Sequence, residues 1–142
     1  MPAKDIYHNA VKQSLIKEGW TIFADPYRIS YEDADLYADL AASRPLAAER
    51  QGIKIIVEIK SFVGRSPLYD FHNALGQYIF YRDLLSATAP SLQLYLAIDR
   101  TSHERIFFRP SVQLAIDRNA VKFFVINSQQ EVIILWNPEI NM

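Results

Sequence analysis

The stretch Ile53-Lys54-Ile55-Ile56-Val57-Glu58-Ile59-Lys60 constrains this chain more than any other segment. Its apolar residues are all β-branched, and they run too continuously for a strand with one wet face. The segment predicts a strand covered on both sides, hence a sheet packed between helices. Side chains alternate along a strand, so Glu58 and Lys60 share one face while Val57 and Ile59 share the other. A carboxylate in such a run is costly unless it is paired or bound to metal.

The flanking pattern supplies the rest of the sheet and its cover. Ile6, Tyr7, Ala10, Val11, Leu15 and Ile16 recur at helical spacing and predict a helix from about Lys4 to Glu18, stopped by Gly19. Trp20–Phe23 reads as a strand entering an Asp25-Pro26 turn, and Leu36–Ala41 as a second strand. Ser66 and Pro67 are a helix cap and first residue, opening a helix to about Ser86 that buries Phe71, Leu75, Tyr78 and Leu85. Leu92–Ile98 predicts a central strand. Residues 102–118 predict a short helical turn, then a helix through Val112, Leu114, Ala115 and Ile116. Val121–Ile126 and Glu131–Trp136, joined by Asn127-Ser128-Gln129-Gln130, predict a closing hairpin. No repeat or linker interrupts the chain, so one domain over 1–142 is expected. Its class is α/β (α+β mixed), a central mixed β-sheet flanked by helices.

Composition narrows the function classes. The 142 residues contain no Cys, which excludes disulfides and thiolate zinc sites and fits a reducing cytoplasm. No apolar run reaches the roughly 18 residues needed to span a bilayer, and Met1-Pro2-Ala3-Lys4-Asp5 lacks the apolar core of a signal peptide. A cytoplasmic protein without a membrane partner is expected. With 15 Lys+Arg against 16 Asp+Glu, the whole molecule does not attract polyanions, so any nucleic-acid site is local. Charge is divided along the chain. Asp25, Glu32, Asp33, Asp35 and Asp39 face only Arg28 over residues 23–39, whereas Arg44, Arg50, Lys54, Lys60 and Arg65 outnumber Glu49 and Glu58 over residues 44–65. Such a division fits a metal site beside a phosphate site, and it fits ordinary mixed surface charge as well. No phosphate-cradling glycine loop or nucleophile elbow is present.

Asp39 lies 19 residues before Glu58, between Ala38 and Leu40. If their strands are neighbours, Asp39, Glu58 and Lys60 converge at one end of the sheet. Two carboxylates suit a hard divalent cation, Mg²⁺ or Mn²⁺, and the ammonium suits a phosphoryl oxygen. The Glu58–Lys60 pair is also compatible with a plain structural ion pair. Gln77 and Tyr81 are four apart on the predicted helix and share a face, where they would bind phosphate or simply pack. His8 has a place beside the buried stripe of the first helix and could support the same end of the sheet. His72 lies near the start of the Gln77 helix, and His103 has no informative context.

Several stretches together resemble the XisH family, the fdxN element excision controlling factors of cyanobacteria. They are Lys17-Glu18-Gly19-Trp20-Thr21-Ile22 with Asp25-Pro26, Asp39-Leu40-Ala41-Ala42, Ala47-Ala48-Glu49-Arg50, Val57-Glu58-Ile59-Lys60-Ser61-Phe62, Phe71-His72-Asn73-Ala74-Leu75-Gly76-Gln77-Tyr78, and Trp136. The resemblance implies a restriction-endonuclease-like fold of the PD-(D/E)xK type, with Asp39, Glu58 and Lys60 at the pattern positions and Gln77 and Tyr81 as its Gln-x-x-x-Tyr element. It also implies DNA, a small XisI-like partner protein and a separate site-specific recombinase as partners in programmed excision of a DNA element. Ser43 stands where the family pattern carries a glutamate, which would weaken a metal site if that residue shares it. Three functions follow as expectations: a metal-dependent DNA endonuclease, a non-catalytic accessory factor on a nuclease scaffold, and an oligomeric interaction module. The last draws on 8 Tyr, 8 Phe and 2 Trp, since aromatics also gather at interfaces of homo-oligomers.

Overall fold

Helix α1 (His8–Lys17) stops where Gly19 takes a φ of +96°, a conformation open to a residue without Cβ. Gly19 N–H donates to the Ile16 carbonyl and Trp20 N–H to that of Leu15, each at 3.0 Å, the paired bonds of a Schellman stop. The computed structural model describes residues 5–46 and 49–140, without side chains at 46 and 49–51. Lys4, the expected start of this helix, therefore lies outside it.

After α1 the chain forms β1 (Thr21–Ala24), β2 (Tyr27–Tyr31), β3 (Ala34–Ala38), β4 (Leu40–Leu46) and β5 (Glu49–Lys60). Helix α2 (Pro67–Thr88) is capped as expected: the Ser66 hydroxyl accepts from Tyr69 N–H at 3.2 Å, with Pro67 in the first turn. Strand β6 (Gln93–Asp99), helices α3 (Arg100–Ile106) and α4 (Pro110–Arg118), and the hairpin of β7 (Phe123–Asn127) and β8 (Val132–Asn137) complete the order. Six strands form one mixed sheet in the order β1-β4-β5-β6-β7-β8. Strand β5 runs antiparallel to β4 and parallel to β6, which the chain reaches through α2.

Central strand β5 is covered on both faces, as its apolar run requires. On one side Ile55, Val57 and Ile59 pack with Val11, Leu15 and Trp20. On the other, Ile56 packs with Ala41, Phe71, Ala74, Tyr78 and Tyr81. Tyr78 ties this layer to the sheet, its hydroxyl donating to the Leu94 carbonyl at 2.9 Å and accepting from Lys122 N–H at 3.0 Å. Leu75, expected to be buried, is only partly so, and Leu114 of the expected later helix is exposed. On the nine-residue α4 Val112 and Ile116, one turn apart, are buried, and Ala115 packs partly against the same core.

The expected strand over Leu36–Ala41 is in fact two. Residues through Ala38 belong to β3, which pairs with β2 in a separate two-stranded sheet, while β4 starts at Leu40 and joins the main sheet. The small sheet lays Ile29 and Ala38 into the α2-side core. Asp39 is the residue at which the chain passes from one sheet to the other.

Candidate functional site

The β4–β5 register pairs Leu40 with Val57, and its next step brings Asp39 opposite Glu58. Strand β4 has no ladder residue left at that point. The Asp39 side chain takes over, its Oδ2 accepting the Ile59 backbone N–H at 2.7 Å. Asp39 thus continues the ladder with its side chain, and the two carboxyl groups face each other at the sheet's end.

That position is dry. Glu58 is 5% exposed. Burial first, and then the adjacent Asp39 carboxylate, push the Glu58 carboxyl up to about 9, with the Lys60 ammonium pulling the other way. Lys60 ends β5 on the same face. Across the gap α2 presents Gln77 and Tyr81, and the Gln77 amide donates to the Tyr81 hydroxyl at 3.1 Å. Burial also raises the Tyr81 hydroxyl, with Glu58 and Asp39 adding to the shift and Gln77 opposing it. These five residues line one cleft of about 440 Å³.

Three further residues line the cleft: Asp5 and Tyr37, which the sequence did not mark, and Asp35, which appeared there only within the acidic stretch 23–39. Asp5 accepts from the Ser61 hydroxyl at 3.0 Å and from Tyr7 N–H at 2.8 Å, so the lead-in to α1 braces the residue after Lys60. Asp35 and Tyr37 reach the cleft from β3. Neither the helix period nor the strand period marks them, because the small sheet that carries the latter two is fixed by tertiary packing.

Two expected supporting residues stand elsewhere. His8 turns to the β1–β2 corner, where its Nε2 lies 2.8 Å from Asp25 Oδ1 and Lys12 Nζ lies 2.9 Å from Asp25 Oδ2. Its role is to tie α1 to that corner. Ser43 pairs with Lys54, four residues before Glu58 on β5, which places it about 13 Å along the strand from the carboxyl pair. A glutamate there would not share a cation with Asp39. His72 is exposed on α2 and absent from the cleft lining, and His103 packs its ring on Phe107 and Phe123. Of the arginines in the basic stretch 44–65, Arg44 bridges to Glu18 at 3.6 Å and Arg65 is exposed; the Arg50 side chain lies outside the described residues.

A larger hollow of about 710 Å³ lies between α3, α4 and β8, walled by Phe107, Phe108, Phe123, Ile116 and Leu135. It brings together no pair of groups with perturbed acidity of the kind seen at Glu58, so the smaller, polar cleft is the candidate for chemistry. Among the described residues no three His, Asp or Glu side chains converge as a metal cage.

Residues 1–134 match the XisH protein family. The chain belongs to the XisH family. Two crystal structures of similar proteins share its fold. An XisH family protein from Nostoc punctiforme is 39% identical over 93% of this chain and 98% of that one, with a TM-score of 0.83. An fdxN element excision controlling factor protein from Anabaena variabilis is 41% identical over 94% of this chain and 98% of that one, with a TM-score of 0.82. A comparison with curated proteins returned no match. The mixed sheet flanked by helices agrees with the restriction-endonuclease-like architecture that the XisH resemblance implied. No helix of the described residues is long and apolar enough to cross a membrane.

Proposed function

We propose that this XisH protein is a controlling factor in programmed DNA excision whose cleft hydrolyses a DNA phosphodiester with the help of a divalent cation. The excision role comes from the similar Anabaena variabilis protein. The observation that carries the hydrolytic reading is the opposition of Asp39 and Glu58 at the end of the sheet, with Lys60 on the same face.

Two hard oxygen donors fit Mg²⁺, which keeps several of its waters and commonly takes one or two carboxylates together with substrate phosphate. The buried Glu58–Asp39 repulsion is what such an ion would relieve. When bound, the cation supplies Lewis-acid stabilisation and makes bound water more acidic. The chain's own groups do the rest. Asp39 and Glu58 hold the ion, and the Ile59 N–H keeps the Asp39 carboxylate in place. Lys60 offers its ammonium to the charge that develops on the phosphoryl oxygens. The Gln77 amide and Tyr81 hydroxyl, already joined, orient the phosphate from the helix side.

A second reading has support in the same cleft. Among the described residues Lys60 is the one cation in its lining, set against Asp5, Asp35, Asp39 and Glu58. So few positive groups suit an accessory factor that acts with a small XisI-like partner protein and a recombinase. Lys60→Ala separates the two. Loss of Mg²⁺-dependent DNA cleavage in a folded variant supports hydrolysis, whereas no cleavage by the wild type with partner binding intact supports the accessory role.

A further inference from the structure

Tyr37 lines the cleft and is 41% exposed. Strand β3 alternates so that Leu36 and Ala38 turn inward while Asp35 and Tyr37 turn out. No other aromatic ring pairs with Tyr37 among the described residues. The hairpin beneath it is fixed. Tyr37 sits opposite Arg28, and Arg28 clamps Asp35 through Nε at 2.7 Å and Nη2 at 3.1 Å. Ile29 and Ala38 anchor the other side in the core. A large ring on a stiff arm is thus left open beside the carboxyl pair, Tyr37 and Asp39 being at most about 7 Å apart at their Cα atoms.

We propose that Tyr37 is a stacking platform for an unpaired nucleobase, so that the cleft takes single-stranded or locally opened DNA. This rests on the nucleic-acid reading of the same cleft. A duplex is held largely by phosphate contacts, each of which needs a cation. Among the described residues of the lining Lys60 alone supplies one, a poor match to the two backbones of a duplex. Stacking needs no charge and accepts any base. It does need a free base face, which a duplex interior does not offer. A ring two residues from Asp39 lets one nucleotide set its base on Tyr37 while its phosphate lies toward Asp39, Glu58 and Lys60.

The test uses the full chain and a fluorescein-labelled oligothymidine of about 12 nucleotides, within the span of single-strand sites. Fluorescence anisotropy is read with Ca²⁺ present, alongside the matching duplex. The wild type is expected to prefer the single strand, and Tyr37→Ala to weaken that binding about tenfold. Tyr37→Phe keeps the ring and is expected to bind like the wild type, while Mn²⁺ binding is the same in all three. Equal affinity of Tyr37→Ala and wild type, a preference for duplex, or no binding of the single strand by the wild type would overturn the proposal. Absence of Mn²⁺ binding together with Tyr37-dependent binding of the single strand would support it and remove the hydrolytic reading instead.

Discussion

The Asp39 carboxylate accepts the backbone N–H of Ile59 at 2.7 Å, so a side chain stands in for the missing ladder residue at the end of β4. This bond gives Asp39 two separable functions, as acceptor and as charge. Asparagine keeps the acceptor and loses the charge; alanine loses both. Asp39→Ala leaves the buried Ile59 N–H without its acceptor, and is expected to be less stable than Asp39→Asn by about 1–3 kcal/mol. Both variants remove the Asp39 charge beside Glu58, so the difference between them reports the hydrogen bonds that asparagine keeps, with the Ile59 N–H first among them. Urea denaturation of the pair measures it, and equal stabilities would show that the bond contributes nothing.

Glu58 predicts how stability depends on pH. Its carboxyl is pushed up to about 9 in the folded chain by burial and by Asp39, from an ordinary value of 4.5. Between those values the folded state holds a proton that the unfolded state has released. Stability in metal-free buffer therefore falls as pH rises through this window. Below it both states are protonated, and above it both are ionised, so the contribution of Glu58 levels off. Denaturation curves at about pH 5.5 and pH 8.5 should show the fall in the wild type and a flatter response in Glu58→Gln. Because a cation must displace the same proton, Mn²⁺ affinity should climb over the same range.

Ser43 gives a prediction of no effect. Its place opposite Lys54 puts it about 13 Å along β5 from the carboxyl pair. Ser43→Glu, which installs the residue that the XisH resemblance implied at this position, is expected to leave Mn²⁺ affinity unchanged in a calorimetric titration. A gain of tenfold would mean that position 43 shares the site after all.

How far the sequence revealed this site depended on where periodicity could speak. The near-continuous apolar run of β5 announced a doubly covered strand, and with it the oddity of Glu58. The Ser66-Pro67 start placed α2 so that Gln77 and Tyr81 fell on one face. The passage at Asp39 was hidden because Leu36-Tyr37-Ala38-Asp39-Leu40-Ala41 alternates without a glycine or proline to mark a break. Strand β2 was missed for a related reason. Its outward residues are Arg28, Ser30 and Tyr31, and only Ile29 is buried, too little apolar pattern to show that it packs on α2. Asp5 joins the cleft through a contact with Ser61, 56 residues away, a separation that no local rule covers. His8 illustrates the converse: its nearness to a buried stripe was legible, but its partner, Asp25, comes from the β1–β2 corner.

The central claim is that Asp39 and Glu58 together hold a divalent cation. A crystal of the protein soaked in Mn²⁺, with the metal located by its anomalous signal, tests it without requiring a choice of DNA substrate. The account predicts a single strong peak between the two carboxylates, lost in a Glu58→Gln crystal soaked in the same way. An empty cleft in the wild type at high Mn²⁺, or a peak that persists in the variant, would contradict it.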